Sequence, residues 1–465
     1  KVSSSAIKTT FVTICTLFLL LRLKRSITMK KSVTLGIIPL ILLLFLIINS
    51  AFSPQSINSD EKIAPILQKI TPQLVDIRRD IHAHPELGYQ EIRTAQIVAD
   101  NLRKLGLEVR TNVGKTGVVG ILKGGKPGDV VGFRADMDAL PITEETGLPF
   151  ASKVKITREG REIGVMHACG HDIHTTVLIG TAWLLSQMRE DIPGTVVFYA
   201  QPAEEVSNGA LGMIADGALK NPTPSAFFAY HVSPDLNTGL IGVCPGYMAA
   251  NVDSFRAVIK GKGGHGSQPH KTIDPIVIAS RIVIALQVLV AREIDVSHHT
   301  VISVGTFHAG TASNIIPEEA TISATIRTNV EEQREIVKEK IIRTIKGICQ
   351  SAGAPEPEIS YSFNLPAPYN DPELVEKITP ILKRVVEKPE DMVRVKPVMV
   401  GEDFCYFGKE KPAVMLWLGC AKEGEEMYPL HNPKFNPDEK CIPHGVKAMS
   451  AILLDYLKSK AAENQ

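Results

Sequence analysis

The chain has 465 residues, which at about 150 residues per domain argues for two or three packed units and rules out a short disordered or collagen-like protein. Lys plus Arg total 51 against 50 Asp plus Glu, so no overall field draws the chain to nucleic acid or to a membrane surface, and partners must be recognised at local sites. Seven Cys are too few for a disulfide-stapled scaffold, but with thirteen His they suffice for a metal site if a handful converge in space.

The N-terminus carries two apolar runs, 11–21 and 33–48, each shorter than the roughly 20 residues that comfortably span a bilayer. The second follows Met29-Lys30-Lys31 and ends in Asn49-Ser50-Ala51, the basic, apolar and small-residue succession of a signal peptide. Residues 1–52 are therefore expected to be a leader, with a signal peptide over 29–51 starting at Met29 and export to the periplasm or medium. An uncleaved leader acting as a membrane anchor is the competing reading. Six cysteines follow the leader. If one of them binds a metal, five remain, an odd number for a compartment that oxidises thiols, so export rests on the leader alone.

Beyond a polar linker at 53–60, apolar residues recur at helical spacing over 63–82 and 90–105, with Gly106 as the stop. Strands are expected at 117–122, 130–134, 195–200 and 226–231, and a helix at 174–188. This alternation implies an α/β unit with a mostly parallel sheet covered on both faces. From 252 to 363 the rhythm becomes strand 254–260, helix 275–292, strand 300–307, strand 320–328, helix 331–351 and strand 358–363. That βαββαβ order predicts an inserted ferredoxin-like domain. The expected organisation is a catalytic domain over 60–251, the insertion over 252–363, and the catalytic domain resumed over 364–465 with a closing helix at 445–458.

The chemistry concentrates at strand ends. The stretch Met166-His167-Ala168-Cys169-Gly170-His171-Asp172-Ile173-His174-Thr175 sets one thiol, one carboxylate and three imidazoles just before a helix. Its Cys-x-His pair can offer two ligands to a metal, although buried thiols and helix-capping histidines also occur without one. The strand at 195–200 leads into Gln201-Pro202-Ala203-Glu204-Glu205. Ligands bind at the carboxyl ends of parallel strands, where adjacent carboxylates are costly unless a cation needs them. An acidic turn before a helix is the alternative. His231 closes another strand, and His431 sits in a Pro-rich loop.

Taken together, FRADMDALP, MHACGHDIHT, QPAEE, the strand-end His231, GKGGHGSQPH, ASNIIP, GEDF and LHNPKF resemble the dinuclear-metal peptidase family of aminoacylases and G-type carboxypeptidases. The similarity, over about 63–457, is greatest to its amidohydrolase branch of hippurate hydrolases, N-acyl-amino-acid amidohydrolases and plant auxin-conjugate hydrolases. The resemblance implies that Cys169, His171, Glu205, His231 and His431 hold two divalent ions, Zn2+ or Mn2+ with Co2+ or Ni2+ as alternatives, and that Glu204 is the general base. The family's early His-x-Asp reads Asp136-Met137-Asp138 here, so both aspartates are expected behind the ligands, orienting them. By the same resemblance His265 stabilises the oxyanion in a neighbouring subunit's site, implying a homodimer through the inserted domain, and Asn314 contacts substrate. Arg327 is a candidate partner for a substrate carboxylate, and Glu402 a candidate pocket residue. The expected activity is hydrolysis of the amide in N-acyl-amino acids or small peptides. An N-acetyldiaminopimelate-type deacetylase and a metal-binding, non-catalytic homologue are the alternatives.

Overall fold

A computed structural model of the chain describes residues 59–463; the leader expected over 1–52 lies outside them. Two helices open the fold, α1 (Ser59–Ala83) and α2 (Ile92–Lys104). Strands β1 (Glu108–Val113), β2 (Gly117–Lys123) and β3 (Lys126–Asp136) follow, then a hairpin of β4 (Lys155–Arg158) and β5 (Arg161–Gly164). Next come α3 (His171–Gln187), β6 (Pro193–Gln201), α4 (Gly209–Ala215), β7 (Ala226–Asn237), β8 (Ile241–Val243) and the short β9 (Gly246–Tyr247).

The inserted part contains β10 (Asn251–Lys260), β11 (Gly264–His265), α5 (Pro275–Arg292), β12 (Thr300–Ala309), β13 (Ile315–Ile316), β14 (Glu319–Thr328), α6 (Gln333–Ser351) and β15 (Glu358–Leu365). The chain then returns through β16 (Tyr369–Asn370), α7 (Pro372–Val385), β17 (Met392–Arg394), α8 (Cys405–Glu410), β18 (Ala413–Ala421) and α9 (Cys441–Glu463).

The main sheet runs β1-β2-β6-β3-β7-β18-β8-β17, and its central strands β6, β3, β7 and β18 are mutually parallel. Strand periodicity explains why it is buried on both sides. Val196, Phe198, Phe228 and Tyr230 point into the larger core with α3 and α9, whereas Val197, Tyr199, Phe227 and Ala229 point into a second core with Phe404 and Phe407. The α/β expectation holds, including the helices over 63–82 and 90–105, which extend to α1 and shorten to α2.

The sequence reading assigns no strand between 364 and 444, yet β18 lies in the middle of the sheet. Its residues Ala-Val-Met-Leu-Trp-Leu-Gly-Cys-Ala form a nearly continuous apolar run. A strand covered on both faces shows no alternation to mark its period.

The insertion is a four-stranded antiparallel sheet in the order β12-β14-β10-β15, backed by α5 and α6, which is the βαββαβ arrangement expected. Asp274 accepts the N–H groups of Ile276 and Val277 at the start of α5, with Pro275 in the first turn. Helix α5 is apolar and long enough to cross a membrane by length and composition, but Ile278, Ile282, Leu286 and Leu289 belong to this domain's core. Asn251 fastens the place where the chain passes between the two parts. Its amide donates to the Thr328 and Val330 carbonyls at 3.1 Å each, and its oxygen accepts the Ala367 N–H at 2.6 Å.

Helix α1 docks on α3 through buried charge. Arg78 Nε donates to Asp172 at 2.7 Å, and His82 lies between Asp172 (Nδ1, 2.8 Å) and Glu144 (Nε2, 3.1 Å). Burial works against the Asp172 anion, but Arg78 and His82 hold its carboxyl well below the usual range. Burial and Arg78 oppose a proton on His82, yet the two carboxylates raise its pKa.

The signs fix the pH window. The Asp172 contribution is complete above the ordinary carboxylate pKa near 4 and lost as pH falls below it; the His82 contribution is complete below about 6.5 and lost as pH rises through the raised value. Arg78→Met should therefore cost about 3–5 kcal/mol in urea unfolding at about pH 5. A loss below about 1 kcal/mol would mean that the pair contributes nothing net.

Candidate active site

The carboxyl ends of the parallel strands bring the site together. Strand β3 ends at Asp136, β6 leads into Glu204 and Glu205, β7 carries His231, and α3 begins just after Cys169 with His171. Gly170 makes the approach of this loop possible: its φ is 85°, and a Cβ there would lie 2.5 Å from a Val232 methyl carbon.

Five predicted residues converge. Cys169 Sγ is 3.4 Å from His231 Nε2 and 3.3 Å from His431 Nε2. Glu205 Oε1 is 3.4 Å from His431 Nε2 and 3.9 Å from His171 Nε2. His171 Nε2 and Glu205 Oε1 are buried without a hydrogen-bond partner, which is how ligand atoms facing an ion position stand. The groupings Cys169–His171–His231, Cys169–Glu205–His431 and His171–Glu204–Glu205 each bring three ligand atoms within 4.8 Å of one another. One thiol, three imidazoles and a carboxylate form a donor set suited to divalent transition ions.

The predicted aspartates lie behind these groups. Asp138 Oδ1 accepts from His171 Nδ1 at 3.2 Å, so the His171 Nε2 side is left toward the cluster. Asp136 bonds His174 Nδ1 at 2.5 Å, and His174 Nε2 accepts the Val232 N–H at 3.0 Å. His231 Nδ1 donates to the Val232 carbonyl at 2.8 Å, which leaves its Nε2 lone pair for the cluster.

Sequence reasoning missed Arg134. This fully buried guanidinium bonds Asp136 (2.7 Å), Asp403 (2.9 Å) and Gln201 (2.8 Å), and lies 2.9 Å from Glu402. Its signal was a cation inside an apolar strand run, which burial forces to find acids. Asp403, in the Gly-Glu-Asp-Phe segment expected near the metals, is bound to this guanidinium.

One guanidinium does not balance so many acids. Burial, with Glu402, Asp403 and Glu205 nearby, pushes the Glu204 pKa well above the carboxylate range. Burial likewise raises Asp403 to about 7 despite Arg134. Burial disfavours charge on His171, but Asp136, Asp138 and Glu205 outweigh it and raise its pKa to about 10. The Cys169 thiol is pushed up by burial and by Glu205, Glu204 and Asp136. A surplus of buried negative charge is what added cations would relieve.

A cavity of about 400 Å³ opens over the cluster. Cys169, Glu204, Glu205, His231 and His431 form one wall, with Glu402 beside them, and Met248, Met415, Trp417 and Leu430 supply apolar surface. Arg327 lines it too; this half-buried guanidinium has no hydrogen bond or ion pair among the described residues. His265 and Asn314 do not line the cavity. They sit together on the exposed β11–β13 ribbon, where His265 pairs with Ile315 and Gly266 N donates to the Asn314 carbonyl at 2.8 Å.

The chain is similar to known proteins over most of its length. The chain is 39% identical over 401 residues to thermostable carboxypeptidase 1 of Saccharolobus solfataricus, covering 85% of this chain and 98% of that protein. It is 40% identical over 390 residues to N-acetylcysteine deacetylase of Bacillus subtilis, covering 83% and 98%. The crystal structure of the Bacillus subtilis YxeP protein, a dinuclear metal binding peptidase from the M20 family, matches with a TM-score of 0.73 at 36% identity, over 84% of this chain and 99% of that one. Residues 132–455 match peptidase family M20/M25/M40. The chain belongs to that family and is one of its hydrolases.

Proposed function

We propose that the protein is a metal-dependent amidohydrolase that splits the amide of N-acyl-amino acids or small peptides. The observation that carries this reading is the convergence of Cys169, His171, Glu205, His231 and His431 beside Glu204, at a cavity that is also lined by Arg327, which has no hydrogen bond or ion pair among the described residues. Two divalent ions in that donor set, Zn2+ or Mn2+ with Co2+ or Ni2+ as alternatives, would supply Lewis acidity to the attacking water and to the scissile carbonyl.

The remaining work falls to side chains. Glu204 takes a proton from the water as its oxygen bonds to the carbonyl carbon, and returns it to the nitrogen as the C–N bond breaks, leaving a carboxylic acid and an amine. Arg327 binds the free carboxylate of the amino-acid part, a task for which its planar fork is suited. Glu402 borders the same cavity, tied to Arg134.

His265 completes the site from a second copy of the chain. Its Nδ1 accepts from the Ser267 N–H at 3.1 Å and lies 2.8 Å from the Ser267 hydroxyl, which places the ring proton on Nε2, free to donate to an oxyanion. Asn314 reaches the substrate from the same ribbon. The dimer surface is the outer face of α5, where Val277, Ile284 and Val288 are exposed at helical spacing. Export through the leader is part of the same proposal, and N-terminal sequencing of the purified protein tests it.

Hippurate and N-acetyl-Met are the test substrates. Stoichiometric metal with no turnover of either would favour a non-catalytic homologue. Glu204→Gln should abolish turnover with metal content unchanged; loss of metal would mean that Glu204 and Glu205 exchange roles.

Metal uptake should release protons, because Cys169 binds as thiolate and its thiol is held protonated in the metal-free chain. Affinity should therefore rise with pH. Cys169→Ser should weaken it and remove the thiol's share of the proton release, read by calorimetry in buffers of different ionisation enthalpy.

His265→Ala should lower turnover by about 10²–10³-fold with normal metal content. Mixing it with Glu204→Gln under subunit exchange should restore one working centre per heterodimer. Confirmed exchange without activity would place the action of His265 in its own chain or nowhere.

A further inference from the structure

The turn bearing Glu204 and Glu205 is held by a carboxylate far upstream that does not line the cavity. Glu91 stands at the N-cap of α2, yet its side chain makes no cap hydrogen bond to that helix. The donors there are taken by Glu86, whose carboxylate accepts Arg93 N at 3.0 Å and Thr94 N at 2.8 Å. Relieved of capping, the fully buried Glu91 reaches elsewhere. Its Oε1 accepts the Ala203 N–H at 2.7 Å, and its Oε2 accepts the Thr116 hydroxyl at 2.6 Å.

Ala203 immediately precedes the pair of glutamates and has a φ of 54°, in the left-handed region that a side chain disfavours. The next two amides are also occupied: Glu204 N donates to Asp138 Oδ1 at 3.1 Å and Glu205 N to Oδ2 at 3.0 Å. Three consecutive N–H groups thus end on two buried carboxylates. Gly88 packs against this turn, where a Cβ would lie 3.1 Å from Ala203 Cα. The outcome is divergence. Glu205 Oε1 faces His431 and His171, while Glu204 Oε1 lies 3.4 Å from the Asp403 N–H.

We propose that Glu91 is a positioning residue: by holding the Ala203 amide it keeps that residue left-handed, and so separates the ion-facing Glu205 from the proton-accepting Glu204. This rests on the roles given to the two glutamates above. Strain of this kind persists only where surrounding bonds over-determine it, and here the Glu91 and Asp138 carboxylates supply those bonds.

The test uses the full chain carrying Glu91→Ala, Glu91→Gln, or Glu91→Ala with Ala203→Gly. Zn2+ affinity of the chelator-stripped protein is read by calorimetry, and kcat and KM on hippurate. Glu91→Ala should lower Zn2+ affinity and kcat by about 10- to 100-fold, the usual cost of removing an outer partner of a metal site, with KM little changed. Glu91→Gln keeps the acceptor oxygen and should recover both. Ala203→Gly should recover part of each loss, because glycine enters the left-handed region freely; a merely structural Glu91 would not be compensated at that position.

Wild-type values in Glu91→Ala, a Gln variant as damaged as the Ala variant, or no recovery with glycine would each overturn the inference. If Glu91→Ala does not fold, Thr116→Val decides: weaker Zn2+ binding supports the inference and unchanged binding overturns it. A chain that hydrolyses no acyl-amino acid, yet loses and regains Zn2+ affinity in this pattern, would refute the amidohydrolase reading and leave the positioning role standing.

Discussion

Arg134 is the fixed positive charge around which the acidic centre is assembled. It is fully buried on β3 and meets Asp136 from its own strand, Gln201 from the end of β6, and Glu402 and Asp403 from the segment that follows the insertion. Isolated carboxylates could not be buried at such density, because the cost of desolvating each exceeds what ordinary hydrogen bonds return. The guanidinium holds them in a planar fork and joins the two sequence-distant halves of the catalytic domain. It still leaves surplus acid, seen in the raised pKa values of Glu204, Glu402 and Asp403, which burial causes first and neighbouring carboxylates reinforce. A centre built this way is poised for added cations.

The second constraint is directional. Parallel strands place their carboxyl ends on one edge, so residues 136, 201–205 and 231 meet although α3 and α4 separate them in the chain. Backbone groups then aim the side chains: the Val232 carbonyl turns His231, the Val232 N–H fixes His174, and the Ala168 carbonyl accepts the His431 N–H at 2.8 Å. His431 itself has a φ of 65°, a second non-glycine residue at the site kept in the left-handed region. The inserted domain contributes differently. Arg327 reaches the cavity from β14, while His265 and Asn314 stay on a solvent-facing ribbon of the same chain.

Much of this was legible in the amino-acid order because local chemistry is dense there. The Cys169-Gly170-His171 and Glu204-Glu205 pairs announce ligands through residue types that are costly to bury. The period changes between 252 and 363 announce the insertion, where β14 alternates because one of its faces lies on helices and the other is open. Strand β18 shows the limit of that reasoning: covered on both faces, it carries no alternation, and its central place between β7 and β8 depends on partners far away in the chain.

The α/β class, the βαββαβ insertion and the set of metal-seeking side chains can all be read along the chain, because they follow from period, spacing and the desolvation cost of individual groups. Tertiary structure alone decided the partnerships. In the sequence Arg134 is a cation at the end of an apolar strand run, and Glu91 an acid at the start of a helix. Only folding sets the first among four residues from three segments and turns the second away from its own helix to the amide of Ala203, 112 residues on. The physical reason is that a buried charge or an unmet amide is satisfied by whichever group the packing of the sheet brings within hydrogen-bond distance, and that proximity is written in no single stretch of the chain.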